Sequence, residues 1–94
     1  APDMPVEVEC DTLAQVTEAL DAGATRLLLD NMAVEDLARA VQLAGGRATL
    51  EASGGLTLGN ARQVAATGVD FLAVGALTHS APGLDIGLDL QSTG

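Results

Sequence analysis

Apolar and polar residues recur with two different periods along the chain, and the changes of period fall at glycines. Val6-Glu7-Val8-Glu9-Cys10 alternates with period two and predicts a strand. From Thr12 to Ala22 the pattern is helical. Leu13, Val16 and Leu20 share one face, Thr12 with Gln15 fits a capping box, and Gly23 follows as the terminating residue. Arg26 to Asp30 reads as a second strand, and Ala33 to Ala44 as a second helix that buries Leu37 and Val41 and stops at Gly45-Gly46. Thr49 to Ser53 is the third strand. A weaker helical pattern from Leu58 to Thr67 ends at Gly68, and Phe71 to Gly75 is the fourth strand. Beyond it, residues 84–90 alternate strictly, as a half-buried extended segment would.

Strands separated by single helices at this spacing predict parallel neighbours, because a parallel pair needs a crossover of a dozen or so residues, and such crossovers are right-handed. An internal echo supports a repeated unit: Ala19-Leu20-Asp21-Ala22-Gly23-Ala24 before Leu29-Asp30 lines up with Val64-Ala65-Ala66-Thr67-Gly68-Val69 before Val74-Gly75, an offset of 45 residues. The expected fold class is α/β, a portion of a parallel (β/α) barrel with about four βα units plus a C-terminal extended segment. A complete barrel of eight units takes about 250 residues, and this chain has 94.

Composition narrows the function classes. Hydrophobic residues make up 48% of the chain, yet Phe71 is the only aromatic one, so the core must be built from Val, Leu, Ala and Ile. Net charge is -9, and all four basic residues are Arg. Nucleic-acid grooves and anionic membrane surfaces need clustered positive charge, so neither is expected as a partner. Cys10 is alone, which excludes an internal disulfide or a Cys-based zinc site and makes a reducing cytoplasm the expected compartment. Residues 1–5 lack the basic start and apolar middle of a signal peptide.

In parallel βα arrays, ligands bind at the carboxyl ends of the strands. Here those ends carry Glu9, Asp30, Ser53-Gly54-Gly55 and the segment from Gly75 to Ser80 that includes His79. If Val6, Val8, Leu27, Leu29, Leu50, Ala52, Leu72 and Val74 face the helices, then Glu7, Glu9, Arg26, Asp30, Thr49, Glu51, Ser53 and Gly75 face the barrel axis. Inward carboxylates are costly unless paired, metal-bound or wet. Two readings follow. Arg26 forms structural ion pairs with Glu7 or Glu51 and the strand-end acids cap loops, or Glu9 and Asp30 converge on a hydroxylated or metal-bound ligand. The glycine turn after Ser53 offers backbone N–H groups to a phosphate, although a plain turn has the same signature. Together these ends suggest a phosphorylated sugar. A lone His79 is more often a satisfied loop side chain than a catalyst, and Cys10 has no evident activating partner.

Read together, Glu7-Val8-Glu9, Leu27-Leu28-Leu29-Asp30-Asn31-Met32, Leu50-Glu51-Ala52-Ser53-Gly54-Gly55, Thr67-Gly68-Val69-Asp70 and Val74-Gly75-Ala76-Leu77-Thr78-His79-Ser80 resemble the C-terminal part of the quinolinate phosphoribosyltransferases. The closing Leu84-Asp85-Ile86-Gly87-Leu88 extends the resemblance over essentially the whole chain. It implies a reaction that joins quinolinate to phosphoribosyl pyrophosphate with Mg²⁺, releasing pyrophosphate and CO₂ and giving nicotinate mononucleotide for NAD synthesis. It implies that Glu9 and Asp30 hold the ribose and metal side of phosphoribosyl pyrophosphate, with catalytic and metal-binding roles. It also implies that Ser53, Gly54, Gly55 and Gly75 form phosphate loops with His79 close by, and that the enzyme is a homodimer or larger homo-oligomer.

The resemblance further implies that residues 1–94 are the C-terminal part of the barrel. The family's N-terminal domain, first barrel strands and cationic quinolinate pocket then lie upstream, and this chain by itself is inactive. Arg39, Arg47 and Arg62 fall on helices or in a helix-to-strand loop, and Arg26 starts its strand, so none is expected in a dianion pocket. Two other readings stay open: a non-catalytic half-barrel that buries its sheet edges by assembly, and a related phosphoribosyltransferase with another acceptor.

Overall fold

A computed structural model describes residues 6–57, 59–75 and 77–83. The expectations for residues 1–5, for Leu58 and for the alternating 84–90 segment lie outside these residues. The elements run β1 (Glu7–Cys10), α1 (Leu13–Asp21), β2 (Arg26–Asp30), α2 (Val34–Ala44), β3 (Thr49–Ser53), α3 (Ala61–Ala66), β4 (Phe71–Val74) and β5 (Leu77–Ser80). One sheet holds all five strands in the order β1-β2-β3-β4-β5. The first four are mutually parallel, as the crossover lengths require.

The alternation sorts side chains as expected. Leu27, Leu29, Leu50, Ala52 and Leu72 are buried on the helix side, where they meet Val16, Ala19 and Leu20 of α1, Leu37, Ala40 and Ala44 of α2, and Ala61 and Val64 of α3. Ala24 and Val69, the equivalent positions of the 45-residue echo, are both buried just before their strands. Small and branched residues thus fill the core where aromatic ones are lacking. Helix α1 starts with the capping box: Gln15 N–H donates to Thr12 Oγ1 at 3.2 Å and Thr12 N–H to Gln15 Oε1 at 3.3 Å.

Two expectations need correction. The third helix is six residues long, Ala61–Ala66, with Gly59 and Asn60 in a turn just before it and Thr67 just after it. Thr57 N–H donates to Asn60 Oδ1 at 2.8 Å and Asn60 N–H to Thr57 Oγ1 at 3.3 Å, the reciprocal pattern seen at Thr12 and Gln15, and Ala61 N–H donates to the Thr57 carbonyl at 3.0 Å. The stretch read as a loop after the fourth strand is instead a turn at Gly75 followed by β5, antiparallel to β4. Gly75 takes φ +63°, which lets the chain reverse at once, and so short a connection permits no parallel neighbour. Ala81 N–H closes the hairpin on the Asp70 carbonyl at 2.9 Å.

Candidate functional site

The sheet register fixes which polar residues share a level. Glu7, Arg26 and Thr49 form one row across β1, β2 and β3, and Glu9, Leu28, Glu51 and Phe71 form the row above it. Asp30 and Ser53 stand one step further, at the carboxyl ends of β2 and β3. All these side chains lie on the face away from the helices, because registered neighbours project to the same side.

Arg26 holds two of the three acids in the first two rows and leaves out Glu9. Arg26 Nη2 donates to Glu51 Oε1 at 2.7 Å, Arg26 Nε lies 3.5 Å from Glu7 Oε1, and the guanidinium sits 5.7 Å from the centroid of the Phe71 ring. The Glu51 side chain is only 11% exposed, so this pairing removes what would otherwise be an uncompensated buried charge. The structural ion pairs weighed from the sequence therefore form, with both partners at once. The other arginines stay off this face: Arg47 caps the end of α2 through the carbonyls of Leu43 and Ala44, and Arg39 and Arg62 lie on α2 and α3.

The upper end is built differently. Asp30 is half-buried and Oδ1 accepts from the Ser53 hydroxyl at 3.4 Å. Beyond Ser53, Gly54 and Gly55 take φ +80° and +67°, so the chain bends sharply and exposes its backbone. A Cβ on Gly54 would run into Asp30 Oδ1 and would lie 2.6 Å from Asn31 Oδ1. The loop therefore sits directly against the Asp30 carboxylate. Asn60 Nδ2 holds the far side by donating to the Gly55 carbonyl at 3.2 Å. Between the two βα loops lies an open cleft of about 380 Å³, bordered by Asn31, Met32, Gly54, Gly55, Leu56 and Asn60 among others. Asn31 stood in one of the strings that carry the resemblance but was given no role of its own, and Asn60 was not named.

Glu9 is exposed at the edge of β1, one two-residue step below Asp30 on the same face, and also borders a shallow cleft of about 360 Å³ against Gln15 and Glu18 of α1. The spacing puts the Glu9 and Asp30 backbones roughly 8 Å apart, within reach of one ligand. Among the described residues, neither acid forms an ion pair. Gly75 stands at the carboxyl end of β4. His79 does not join the group: it pairs with Leu72 across the hairpin and so points to the helix side, opposite to Glu9 and Asp30. Its position just past a strand end and the family resemblance were the reasons to include it, and the antiparallel return of β5 removes the first of them. Cys10 is fully buried, and burial, helped by the Asp11 carboxylate, raises the pKa of its thiol, which keeps it protonated and unreactive.

This arrangement, two uncommitted carboxylates and a glycine turn at the carboxyl ends of parallel strands, can be set beside known proteins. The profile of the family described as "Quinolinate phosphoribosyl transferase, C-terminal domain" matches residues 1–89. The chain belongs to the quinolinate phosphoribosyltransferase family. Within it, the chain is 54% identical over 93 residues to a nicotinate-nucleotide pyrophosphorylase (carboxylating) of Mycobacterium leprae, covering 96% of this chain and 33% of that protein. The corresponding rat protein is 39% identical over 94 residues, 97% of this chain and 31% of its own length. Among solved family structures, the nicotinate-nucleotide pyrophosphorylase of Ehrlichia chaffeensis superposes with a TM-score of 0.73 at 36% identity, over 77% of this chain and 26% of that one. The chain thus spans about a third of the length of the curated relatives it matches.

Proposed function

We propose that this chain forms the phosphoribosyl pyrophosphate side of the active site of a quinolinate phosphoribosyltransferase (decarboxylating). The reaction joins quinolinate to phosphoribosyl pyrophosphate and gives nicotinate mononucleotide, pyrophosphate and CO₂ for NAD synthesis. One observation carries the reading: in a member of this family, the Asp30 carboxylate, the Ser53 hydroxyl and the Gly54-Gly55 turn are packed together at the carboxyl ends of adjacent parallel strands.

Each residue has a role that follows from its chemistry. Asp30 and Glu9 accept from ribose hydroxyls and face the anomeric carbon, where their negative charge stabilises the positive charge that builds as pyrophosphate departs. Ser53 and the backbone N–H groups of Gly54, Gly55 and Gly75 meet phosphate oxygens without adding side-chain charge. His79 is left out of this reading, because its strand turns it to the other face.

The described residues hold no cluster of three metal-ligating side chains, so a protein-only cation cage does not fit. Two carboxylates do fit Mg²⁺ that arrives with a polyphosphate, since Mg²⁺ is usually held by one or two carboxylates plus phosphate oxygens and water. When bound, Mg²⁺ would neutralise the leaving pyrophosphate. The quinolinate dianion then needs cations from another part of the enzyme: Arg26 is committed to Glu7 and Glu51, and the other three arginines lie on or at the end of helices. The reading includes an N-terminal domain and first barrel strands upstream, a homodimer or larger homo-oligomer, and a cytoplasmic setting that suits the free Cys10 thiol.

The test is calorimetry on this chain joined to the preceding two thirds of the Mycobacterium leprae relative. The joined protein is expected to bind phosphoribosyl pyrophosphate with Mg²⁺ and to lose most of that affinity in Glu9→Ala and Asp30→Ala. Unchanged affinity in both variants overturns the roles given to these acids.

A further inference from the structure

We propose that Asn31 is a positioning residue that locks the Asp30 carboxylate to the glycine loop, so that the acid and the loop work as one unit. The proposal rests on the site reading above and adds a residue to it.

Asn31 is the one non-glycine residue with a positive φ among the described residues, at +57°. Few side chains accept that backbone, and Asn is among the best tolerated. The left-handed turn lets the backbone do two things in succession. Asn31 N–H still donates to the Ser53 carbonyl at 2.9 Å, which extends the β2–β3 ladder beyond the last registered pair, Asp30 and Ser53. The chain then leaves the sheet toward α2, and the Asn31 side chain turns back over Gly54.

The contact is intimate. A Cβ built on Gly54 would lie 2.6 Å from Asn31 Oδ1 and 2.9 Å from Asn31 Cγ, and would also strike Asp30 Oδ1. Two side-chain oxygens from consecutive residues therefore fill the space that any side chain at position 54 would need. Asp30 is tied a second time by the Ser53 hydroxyl, and Gly55 is tied on its other side by Asn60. The loop is bracketed by two asparagines, one pressed on Gly54 and one bonded to the Gly55 carbonyl.

Chemistry explains why the residue is Asn. Gly would keep the left-handed turn but leave Gly54 and Asp30 free to shift. Asp would keep the shape but set a second negative charge against Asp30 and beside the place proposed for phosphate. A neutral amide of the same shape does neither. Asn31 thus acts through Asp30, holding the carboxylate in one orientation before ligand arrives.

The experiment is a double-mutant cycle on the joined protein, with affinity for Mg²⁺-phosphoribosyl pyrophosphate read by calorimetry. Asn31→Gly is expected to weaken binding about tenfold and Asp30→Asn about a hundredfold. The double variant is expected to bind no more weakly than Asp30→Asn alone, because the lock has nothing left to position. Asn31→Asp is expected to bind more weakly than Asn31→Gly. Since Asn31→Gly keeps the backbone conformation, its thermal midpoint should stay near that of the parent, which separates positioning from folding. If Asp30→Asn weakens binding while Asn31→Gly does not, or if the two losses multiply, the lock is refuted and the site reading stands. No binding by the parent, or unchanged affinity in Asp30→Asn, refutes the site reading and the lock with it.

Discussion

Glu7 and Glu9 stand two residues apart on the same face of β1, both exposed, yet only Glu7 meets a cation. The contrast extends across the sheet. Arg26 binds Glu7 and Glu51 and lies over Phe71, so these three charged residues satisfy one another. Toward the carboxyl ends, Glu9 and Asp30 form no ion pair among the described residues, and Asp30 stands against the exposed backbone of Gly54. One face of one sheet therefore holds two kinds of acid. Glu7 and Glu51 are paired with Arg26, and Glu9 and Asp30 form no ion pair among the described residues. The difference teaches that facing inward does not by itself leave a carboxylate unpaired: Arg26 takes Glu51 from the row that also holds Glu9, and its reach stops one step short of Asp30.

The variants that bear on this contrast fall in order of effect. Asp30→Ala in the joined protein should cut affinity for Mg²⁺-phosphoribosyl pyrophosphate about a hundredfold, the scale of losing a charged contact in a preorganised site, with little change in unfolding. Gly54→Ala should cost nearly as much, because the added methyl displaces both Asp30 and Asn31. Calorimetry reads both; if Gly54→Ala bound normally, the loop would not be coupled to the acid.

Arg26→Met should show the opposite profile. It leaves Glu51 buried without its cation and is expected to cost about 2 kcal/mol in chemical denaturation. That is less than the roughly 3–5 kcal/mol of a fully buried broken pair, because the Arg26 side chain is 41% exposed and partly screened. Ligand affinity should fall far less than in Asp30→Ala. A variant of undiminished stability would mean that Glu7 and Glu51 are no more committed than Glu9 and Asp30.

Smaller still is the contribution of the thiol beneath this face. Burial raises the folded pKa of Cys10 above its ordinary value of 9.0, so the unfolded chain releases that proton first as pH rises. Stability from this group is present below that value and is lost as pH rises above it, and denaturation followed as pH is raised past 9.0 should show the decline in the parent but less of it in Cys10→Ala. The smallest effect is expected at His79. Its strand points it away from Glu9 and Asp30, so His79→Ala should bind phosphoribosyl pyrophosphate within about twofold of the parent. A large loss would show that residues 75–80 leave the edge of β4 when ligand binds.

How legible all this was depends on whether the cause is local. The capping box at Thr12, the Ala24 and Val69 echo and the alternation of Leu27, Leu29, Leu50 and Ala52 follow from neighbours in the chain, and each appears as expected. The parallel order of β1 to β4 follows from crossover length. The hairpin was missed because Gly75 permits either a loop or a reversal, and the choice depends on the β4 edge that β5 covers. Arg26 could be assigned only to a choice of partners, since reach across strands depends on register. The role of Asn31 was hidden for the same reason. An Asn just past a strand-end acid hints at a left-handed turn, but its contact with Gly54 exists only once β2 and β3 are side by side.

The most direct test compares Glu7→Gln with Glu9→Gln in the joined protein, with affinity for Mg²⁺-phosphoribosyl pyrophosphate measured by calorimetry. The two acids share a strand, a face and an exposed setting, and differ in that Arg26 holds one of them. The account predicts at least a tenfold loss for Glu9→Gln and less than a twofold change for Glu7→Gln. Equal losses in the two, or a larger loss for Glu7→Gln, would contradict the division of this face into committed and available acids.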